Sequence, residues 1–112
     1  MTRLVNLMPH DLVVIDGVRR FILAPSGQVA RVDQHVVEDA SLSVSGTTLP
    51  LATVRYGTVA GLPVQQPDVL LVVSRAVAAE VARLDLVFPD LEIRDELHRV
   101  IGCQRLARFV IA

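Results

Sequence analysis

Ser74 and Arg75 stand where the sequence changes from a strand pattern to a helix pattern. Val69 to Val73 is a continuous apolar run rich in β-branched residues, which favours a buried strand. From residue 74 to residue 84 apolar side chains recur at helical spacing, which predicts one short amphipathic helix with Ser74 as its N-cap. A helix N-terminus presents unpaired backbone N–H groups, so this junction is a candidate anion site.

Arg75 supports that hypothesis because a cation in the first turn opposes the helix dipole unless an anion offsets it. A bound phosphate or carboxylate would supply the offset. The structural alternative is that Ser74 only caps the helix, while Arg75 is solvated or pairs with a nearby acid.

Arg55, Tyr56 and Gly57 form the second candidate, in a run whose period-2 alternation predicts a half-buried strand. Arginine offers a bidentate phosphate contact and tyrosine a stacking surface, and together they would hold a nucleotide. Adjacent strand residues point to opposite faces, so the pair serves one pocket only if Gly57 marks a bulge. In the alternative interpretation, Tyr56 borders a core and Arg55 lies on the surface.

His10, which precedes Asp11 in the chain, and the adjacent pair Arg94 and Asp95 complete the eight candidate ligand-binding residues. A histidine beside an aspartate invites an acid–base hypothesis, but neighbours in sequence need not touch, and the chain has no GxSxG nucleophile motif. In the alternative interpretation, His10 lies in a turn and Asp11 starts a strand, while Arg94 and Asp95 end a strand and enter its turn. We therefore predict no catalytic residues.

Metal and cofactor motifs are missing from the sequence. The histidines, at positions 10, 35 and 98, lack metal-site spacing, and there is no phosphate-binding loop or dinucleotide-binding glycine pattern. We predict no metal and no cofactor. Cys103 is the single cysteine, and its apolar neighbours favour a small buried side chain over a reactive thiol.

The composition predicts one domain over residues 1–112, since 52% apolar residues can build one core in a chain of this length. The net charge of −1 gives no bulk attraction to nucleic acid or anionic lipid, and no apolar stretch reaches the length of a membrane span. We expect a cytoplasmic protein. Few charges and a mean hydropathy of +0.49 favour burial of a face between subunits, so we expect a homo-oligomer.

Hairpin signals precede and follow the predicted helix, which indicates an α+β domain with a mostly antiparallel sheet packed on that helix. Residues 33–41 are predicted to be extended, residues 45–48 to form a loop tip and residues 96–99 to form a turn. The remaining expected strands cover residues 4–8, 11–16, 18–23, 29–32, 51–58, 86–88, 91–95 and 100–110.

Short segments along nearly the whole chain resemble a small, largely uncharacterised family of actinobacterial, firmicute and phage proteins. The opening resemblance lies in Asn6-Leu-Met-Pro-His10, Leu12-Val-Val-Ile15, Pro25-Ser-Gly27 and Val29-Ala-Arg-Val32. Later segments are Arg55-Tyr-Gly-Thr-Val59 with Gly61-Leu-Pro63, Val73-Ser74 with Val77-Ala78, and Arg94-Asp95 with Ile101-Gly-Cys103. The resemblance implies a self-contained domain and carries over no catalytic residue. Two departures are a longer segment at 33–48 and Glu96-Leu-His-Arg99 in place of a glycine turn.

Together these observations predict a non-catalytic protein that binds a small anionic ligand. A nucleotide-derived signal sequestered in a phage–host defence context is the specific form of that hypothesis, and its last step rests on analogy. The alternatives are a small hydrolase acting on a phosphate-containing substrate, with His10 or Asp95 as base, and an oligomeric structural or partner-binding protein.

Overall fold

The computed structural model describes residues 1–38 and 41–111, which form ten strands and one helix. This confirms the α+β class. The elements in chain order are β1 Arg3–Asn6, β2 Leu12–Asp16, β3 Arg19–Leu23, β4 Arg31–Glu38, β5 Leu42–Val44, β6 Thr47–Leu49, β7 Ala52–Ala60, β8 Val69–Val72, α1 Arg75–Glu80, β9 Leu86–Arg94 and β10 Val100–Ala107.

Six strands build the body of the protein in the order β1-β8-β9-β10-β2-β3. β8 pairs in parallel with both β1 and β9, and β10 pairs in parallel with β2. β9 with β10 and β2 with β3 are antiparallel hairpins. The body sheet is therefore mixed. Four of the seven strand pairs in the described residues are antiparallel, which agrees with the predicted mostly antiparallel sheet, but the three parallel pairs were not predicted. The parallel pairs join segments distant in sequence, and local turn signals carry no information about them.

One face of this sheet encloses an apolar cluster to which all six strands contribute. Its buried members are Met8, Leu12, Val72, Val87 and Cys103, with Leu4, Val14, Leu23, Leu70 and Leu106 packed around them. A sheet whose two edge strands meet the same cluster must curve around it. The cluster is the interior of that curved sheet.

The buried side chain of Asn6 joins the two edges of the curved sheet. Its Nδ2 group donates to the carbonyl of Leu23, at the end of β3, at 3.0 Å and to the carbonyl of His10 at 2.9 Å. Its Oδ1 accepts from the Met8 N–H at 2.9 Å. Asn6 is 1% exposed, so these bonds satisfy an amide that is otherwise costly to bury.

A second apolar cluster lies on the outer face of β8, beneath α1. It contains Leu71 and Val73 of the β8 segment, Val77 and Ala78 of α1, and Leu7, Ala30, Leu86 and Phe88. Since Val72 faces the first cluster, the β8 segment is covered on both faces, as its continuous apolar sequence predicted.

The helix is shorter than predicted, because it ends at Glu80 and not at residue 84. Val81 is extended, with φ −128° and ψ 121°, and packs against the cluster beneath α1. Arg83 then makes two hydrogen bonds to the buried carboxylate of Asp85, at 2.9 and 2.6 Å, and one to the Pro63 carbonyl at 3.0 Å. These contacts hold residues 81–85 in a non-helical connection, although their apolar spacing continues the helical pattern.

β4 and β7 form an antiparallel ribbon, and β5 and β6 form a hairpin between them in the chain. Residues 33–38 are extended as predicted, whereas residues 39–40 lie outside the described part. The turn at the tip is Ser45–Gly46, so Thr47 and Thr48 belong to β6 and not to a loop. The ribbon pairs Val32 with Val59 and Gln34 with Tyr56, which leaves Asp33 opposite two residues. Of the two features that a glycine in a strand indicates, a bulge or a close backbone approach, the bulge is therefore present at Gly57.

No helix in residues 1–38 and 41–111 is long and apolar enough to cross a membrane.

Replacing Asn6 by alanine should lower the free energy of unfolding by about 2–4 kcal/mol, because two carbonyls and one N–H lose their buried partner. Asn6→Asp keeps the shape and the acceptor but removes both donors, so we expect it to be strongly destabilised at neutral pH as well. Urea denaturation measures both variants. Wild-type stability of Asn6→Asp would contradict the assigned role of the Nδ2 group.

Gly61→Ala should be destabilised by about 2 kcal/mol more than Gly27→Ala. Both glycines have positive φ, +89° and +99°, so alanine is strained at either position. A Cβ at Gly61 would also collide with the backbone oxygen of Val29, whereas a Cβ at Gly27 meets open space. Thermal and urea unfolding of the two variants measure the loss of stability in each, and the difference between them reports the collision at Gly61. Equal losses of stability would contradict the predicted collision.

Candidate functional site

A groove of about 640 Å³ opens on the body, where the segments after β1 and β8 meet β9, β10 and the start of β2. Its volume falls within the range of ordinary small-molecule sites. Most of its lining is apolar, from Met8, Leu12, Val13, Pro89, Val100, Ile101, Gly102 and Cys103. The polar and charged lining residues are His10, Asp11, Ser74, Arg75 and Glu92.

Ser74 reaches the groove because β8 ends directly before it and α1 begins directly after it. Its backbone is extended, with φ −67° and ψ 157°, and its Oγ accepts from the Val77 N–H at 3.3 Å. The predicted N-cap is confirmed. The hydroxyl therefore has a structural role and still lines the groove.

Arg75 extends from the first turn of α1 across two aromatic rings. Its guanidinium carbon lies 5.1 Å from the centroid of Phe88 and 5.5 Å from that of Phe109, and the two centroids are 4.8 Å apart. Its Nη1 is 3.8 Å from Asp90 Oδ1. Asp90 and the faces of the two phenylalanine rings therefore compensate the positive charge in the first turn of α1. This agrees with the alternative interpretation of Arg75, in which the side chain pairs with a nearby acid. The side chain nevertheless remains 67% exposed.

Asp90 connects Arg75 to β10, because it also accepts from Arg105 Nε at 2.8 Å. The Arg105 hydrogen bond lowers the pKa of the Asp90 carboxyl group, and the positive charges of Arg105 and Arg75 act in the same direction. Asp90 therefore remains ionised and keeps Arg75 beside the groove.

His10 and Asp11 also reach the groove, on the connection between β1 and β2. The exposed His10 ring makes its hydrogen bond through Nδ1, 3.0 Å from the backbone oxygen of Asp11. This contact orients the ring by a carbonyl and not by a carboxylate. Three of the eight predicted ligand-binding residues, His10, Ser74 and Arg75, line this one groove. The fold brings them together although His10 and Ser74 are 64 positions apart in the chain.

Arg94 and Asp95 do not line the groove and instead hold the turn between β9 and β10. The Asp95 carboxylate accepts from the N–H groups of Leu97 and Arg99 and from Arg99 Nε, each at 2.9 Å. The backbone hydrogen bond from Arg99 is the main reason that the pKa of Asp95 is lowered. Arg94 donates to the His98 carbonyl at 2.7 Å and to Glu92 at 2.9 Å.

Arg55, Tyr56 and Gly57 lie on β7, away from the groove lining. Arg55 is opposite His35 and Tyr56 is opposite Gln34, so the two side chains occupy opposite faces of the ribbon. The bulge at Gly57 changes the register nearer the body and does not bring the pair to one face. Their assignment as ligand-binding residues remains a prediction.

Sequence reasoning missed Asp90, Glu92 and the aromatic pair beneath Arg75. A usable signal for Asp90 was its position directly before an alternating strand that carries further acids, with arginines in the facing strand. Phe109 gave no such signal, because it follows the last strand and contacts Phe88 only in the folded chain.

Cys103 forms part of the groove floor and is 2% exposed, which confirms the predicted burial. Its Sγ donates to the Val13 carbonyl at 3.4 Å, and burial raises the pKa of the thiol. A buried, protonated thiol is a poor nucleophile.

Among the described residues, no group of three or more histidine, cysteine, aspartate or glutamate side chains is placed to hold a metal ion.

Comparison of the chain with protein-family models, with curated proteins and with solved structures gives no match.

The carboxyl group of Asp90 should titrate below the usual aspartate range, and Arg105→Ala should move its midpoint upward towards that range. A lowered native pKa stabilises the fold above the unfolded pKa, and this stabilisation is lost as the pH falls through the native pKa. Carboxyl-carbon NMR titration measures the midpoint. As the matched control, Arg99→Ala should shift Asp95 and leave Asp90 unchanged; an Asp90 midpoint insensitive to Arg105→Ala would contradict the assignment.

Proposed function

We propose that this protein is a non-catalytic binding protein for a small anionic molecule and that the groove is its binding site. The observation that carries the proposal is the convergence of Arg75, Ser74 and His10 on one apolar groove of about 640 Å³. Binding sites for small molecules combine such an apolar surface with a few polar groups that fix the ligand's orientation.

Arg75 is the residue best placed to contact an anion. Its ion pair with Asp90 is long, at 3.8 Å, and Asp90 already accepts a shorter bond from Arg105. The planar guanidinium lies over two rings, which limits its rotation and prepares it for a bidentate contact with phosphate or carboxylate. A ligand would therefore meet an oriented donor group at little further cost in side-chain entropy.

The two carboxylates in the groove restrict the ligand further. Asp11 and Glu92 would repel a molecule that is anionic throughout, but they can accept hydrogen bonds from hydroxyl or amino groups. The apolar floor suits a flat ring system. A nucleotide combines a ring, hydroxyl donors and a phosphate, so a nucleotide-like ligand fits these three requirements.

The further proposal, that the ligand is a nucleotide-derived signal sequestered in a phage–host defence context, rests on the resemblance to phage proteins alone. Sequestration requires tight binding without turnover, which agrees with a site built for contact and not for chemistry.

The geometry favours binding over the hydrolase alternative. Asp95 has a lowered pKa and is engaged by the turn between β9 and β10, so it is a weak base and lies outside the groove lining. The His10 ring contacts a backbone carbonyl, and the thiol of Cys103 is buried with a raised pKa. These contacts do not join a nucleophile to a base.

Arg75→Ala should weaken binding of the cognate anion by roughly 10- to 100-fold while the fold survives, because one charge-assisted contact is lost at an exposed position. Thermal-shift screening of nucleotides and cyclic nucleotide derivatives would identify the ligand, and calorimetric titration would measure the change. Arg20→Ala, an exposed arginine on β3 outside the groove lining, is the matched control and should bind as wild type.

The same titration with Arg55→Ala tests whether the ribbon contributes to binding. If no anion in the panel raises the wild-type melting temperature, the anion-binding proposal fails.

A further inference from the structure

The ribbon of β4 and β7, with the hairpin of β5 and β6, is here called the arm. Its register defines two faces, because residues paired across antiparallel strands share a face. Val36 pairs with Val54, and Gln34 pairs with Tyr56 on the same side. We call Val36, Val54 and Tyr56 the arm apolar face. These side chains are 56%, 49% and 44% exposed, which is unusual for paired valines in a sheet.

The opposite side of the ribbon is more polar. His35 pairs with Arg55 and Val37 pairs with Thr53, so two titratable or charged side chains occupy its centre. The centre of the ribbon is therefore amphipathic, with His35 and Arg55 on one side and the arm apolar face on the other, and Glu38 lies at the outer end of the apolar side. An amphipathic ribbon normally packs its apolar side on another layer of protein.

The hairpin of β5 and β6 adds to the exposed apolar surface of the arm. Leu42 pairs with Leu49, and Val44 lies on the same side of that hairpin. All three side chains are 44–46% exposed.

The arm apolar face continues the packed surface of the body outward. At the base of the ribbon, Val32 pairs with Val59, and both pack partly buried against the cluster beneath α1. Val32 lies on the same side of β4 as Gln34 and Val36, because strand side chains alternate. The side of the ribbon that packs against the body at Val32 and Val59 is therefore the same side that is exposed at the arm apolar face.

The chain as a whole exposes more surface than a compact monomer of its mass. The chain measures 58 × 37 × 29 Å with a radius of gyration of 17.4 Å, against roughly 13 Å for a compact domain of this length. Its accessible surface is 8186 Å², whereas a compact monomer of 12.2 kDa exposes roughly 6,100 Å². The excess is larger than the approximately 800 Å² that each partner contributes to a standard interface.

We propose that a second copy of this chain covers the arm apolar face, with the arms of two copies packed face to face. Such an isologous contact requires a self-complementary surface. Val36, Val54 and Tyr56 are uncharged, and Glu38, which lies on the same side of the ribbon, is at its outer end, where it pairs with Ala52. This interface is independent of the groove and of the ligand proposed for it.

Val36→Asp and Val37→Asp form a matched pair of variants for testing the interface. The two valines are adjacent on β4 and similarly exposed, at 56% and 61%, but they point to opposite sides of the ribbon. If aspartate lowers the stability of β4 itself, that loss of stability should be similar in the two variants. We expect Val36→Asp to raise the dissociation constant by about 100-fold or more, because it introduces a charge into the apolar interface, and Val37→Asp to assemble as wild type.

Analytical ultracentrifugation of the full chain, over micromolar to submillimolar concentrations, measures the assembly state. The proposal requires a wild-type dimer or a larger even-numbered assembly. A wild-type monomer throughout this range would overturn it, as would equal dissociation of the two aspartate variants or an unaffected Val36→Asp.

Tyr56 supplies a second measurement, because the chain contains one tyrosine and no tryptophan. Its fluorescence should be protected from acrylamide at high protein concentration and should become accessible on dilution. A tyrosine that remains accessible at every concentration would show that the arm apolar face stays uncovered and would overturn the proposal even if an oligomer forms.

Discussion

Hydrogen bonds to the buried side chain of Asn6 hold together the two edges of the body sheet. β1 and β3 are the outermost strands, and in the described structure the Asn6 amide bridges their ends by donating to Leu23. The same amide accepts from Met8 and donates to His10, which fixes the connection into β2. The enclosed apolar cluster and the position of His10 beside the groove both depend on this one residue. A buried polar side chain specifies the fold here because an alternative arrangement would leave its partners unsatisfied.

The groove lies on this curved sheet, and its apolar and charged lining residues come from different elements. Apolar residues of β10 and the segment after β1 form its floor, while Arg75 enters from the first turn of α1 over Phe88 and Phe109. Asp90, which accepts a hydrogen bond from Arg105, lies beside the guanidinium and leaves it exposed. The result is an exposed cation beside an apolar surface. Under the proposed function, the ligand's charge and its ring would each have a matching part of the groove.

Local patterns predicted the features that depend on local interactions. The buried β8 segment, the Ser74 cap, the bulge at Gly57 and the burial of Cys103 were each visible in a few consecutive residues. The parallel pairing of Arg3 with Val69 was not visible, because its register is set by contacts across the whole fold. The early end of α1 depends on Arg83 and Asp85, whose pairing interrupts an apparently helical pattern. Leu91 and His98 adopt positive φ without being glycines, which residue type alone does not indicate.

For the site, the sequence predicted three groove residues and missed Asp90. Alternating acids and arginines indicated an ion pair there, but only the strand pairing shows that Arg105 is the partner of Asp90. Sequence reasoning also grouped Arg94 and Asp95 with the groove residues, although their hydrogen bonds serve a turn. The sequence shows the chemistry of Arg55 and Tyr56, which made them candidate ligand-binding residues. It does not show that they lie on the arm, because that location follows from tertiary structure.

The junction at Asn6 has a consequence for the internal motions of the body. Neighbouring strands of the body share backbone pairing, but between β1 and β3 the described link is a side-chain amide, supported by the Ser26 N–H donating to the Asn6 carbonyl at 2.9 Å. Local unfolding begins where few bonds must break, and few bonds cross the contact between β1 and β3. Amide protons of β8 and β9 should therefore exchange with solvent only in global unfolding, whereas those beside the junction exchange through partial opening. His10 lies beside this junction, so the amide protons on its side of the groove should belong to the second group.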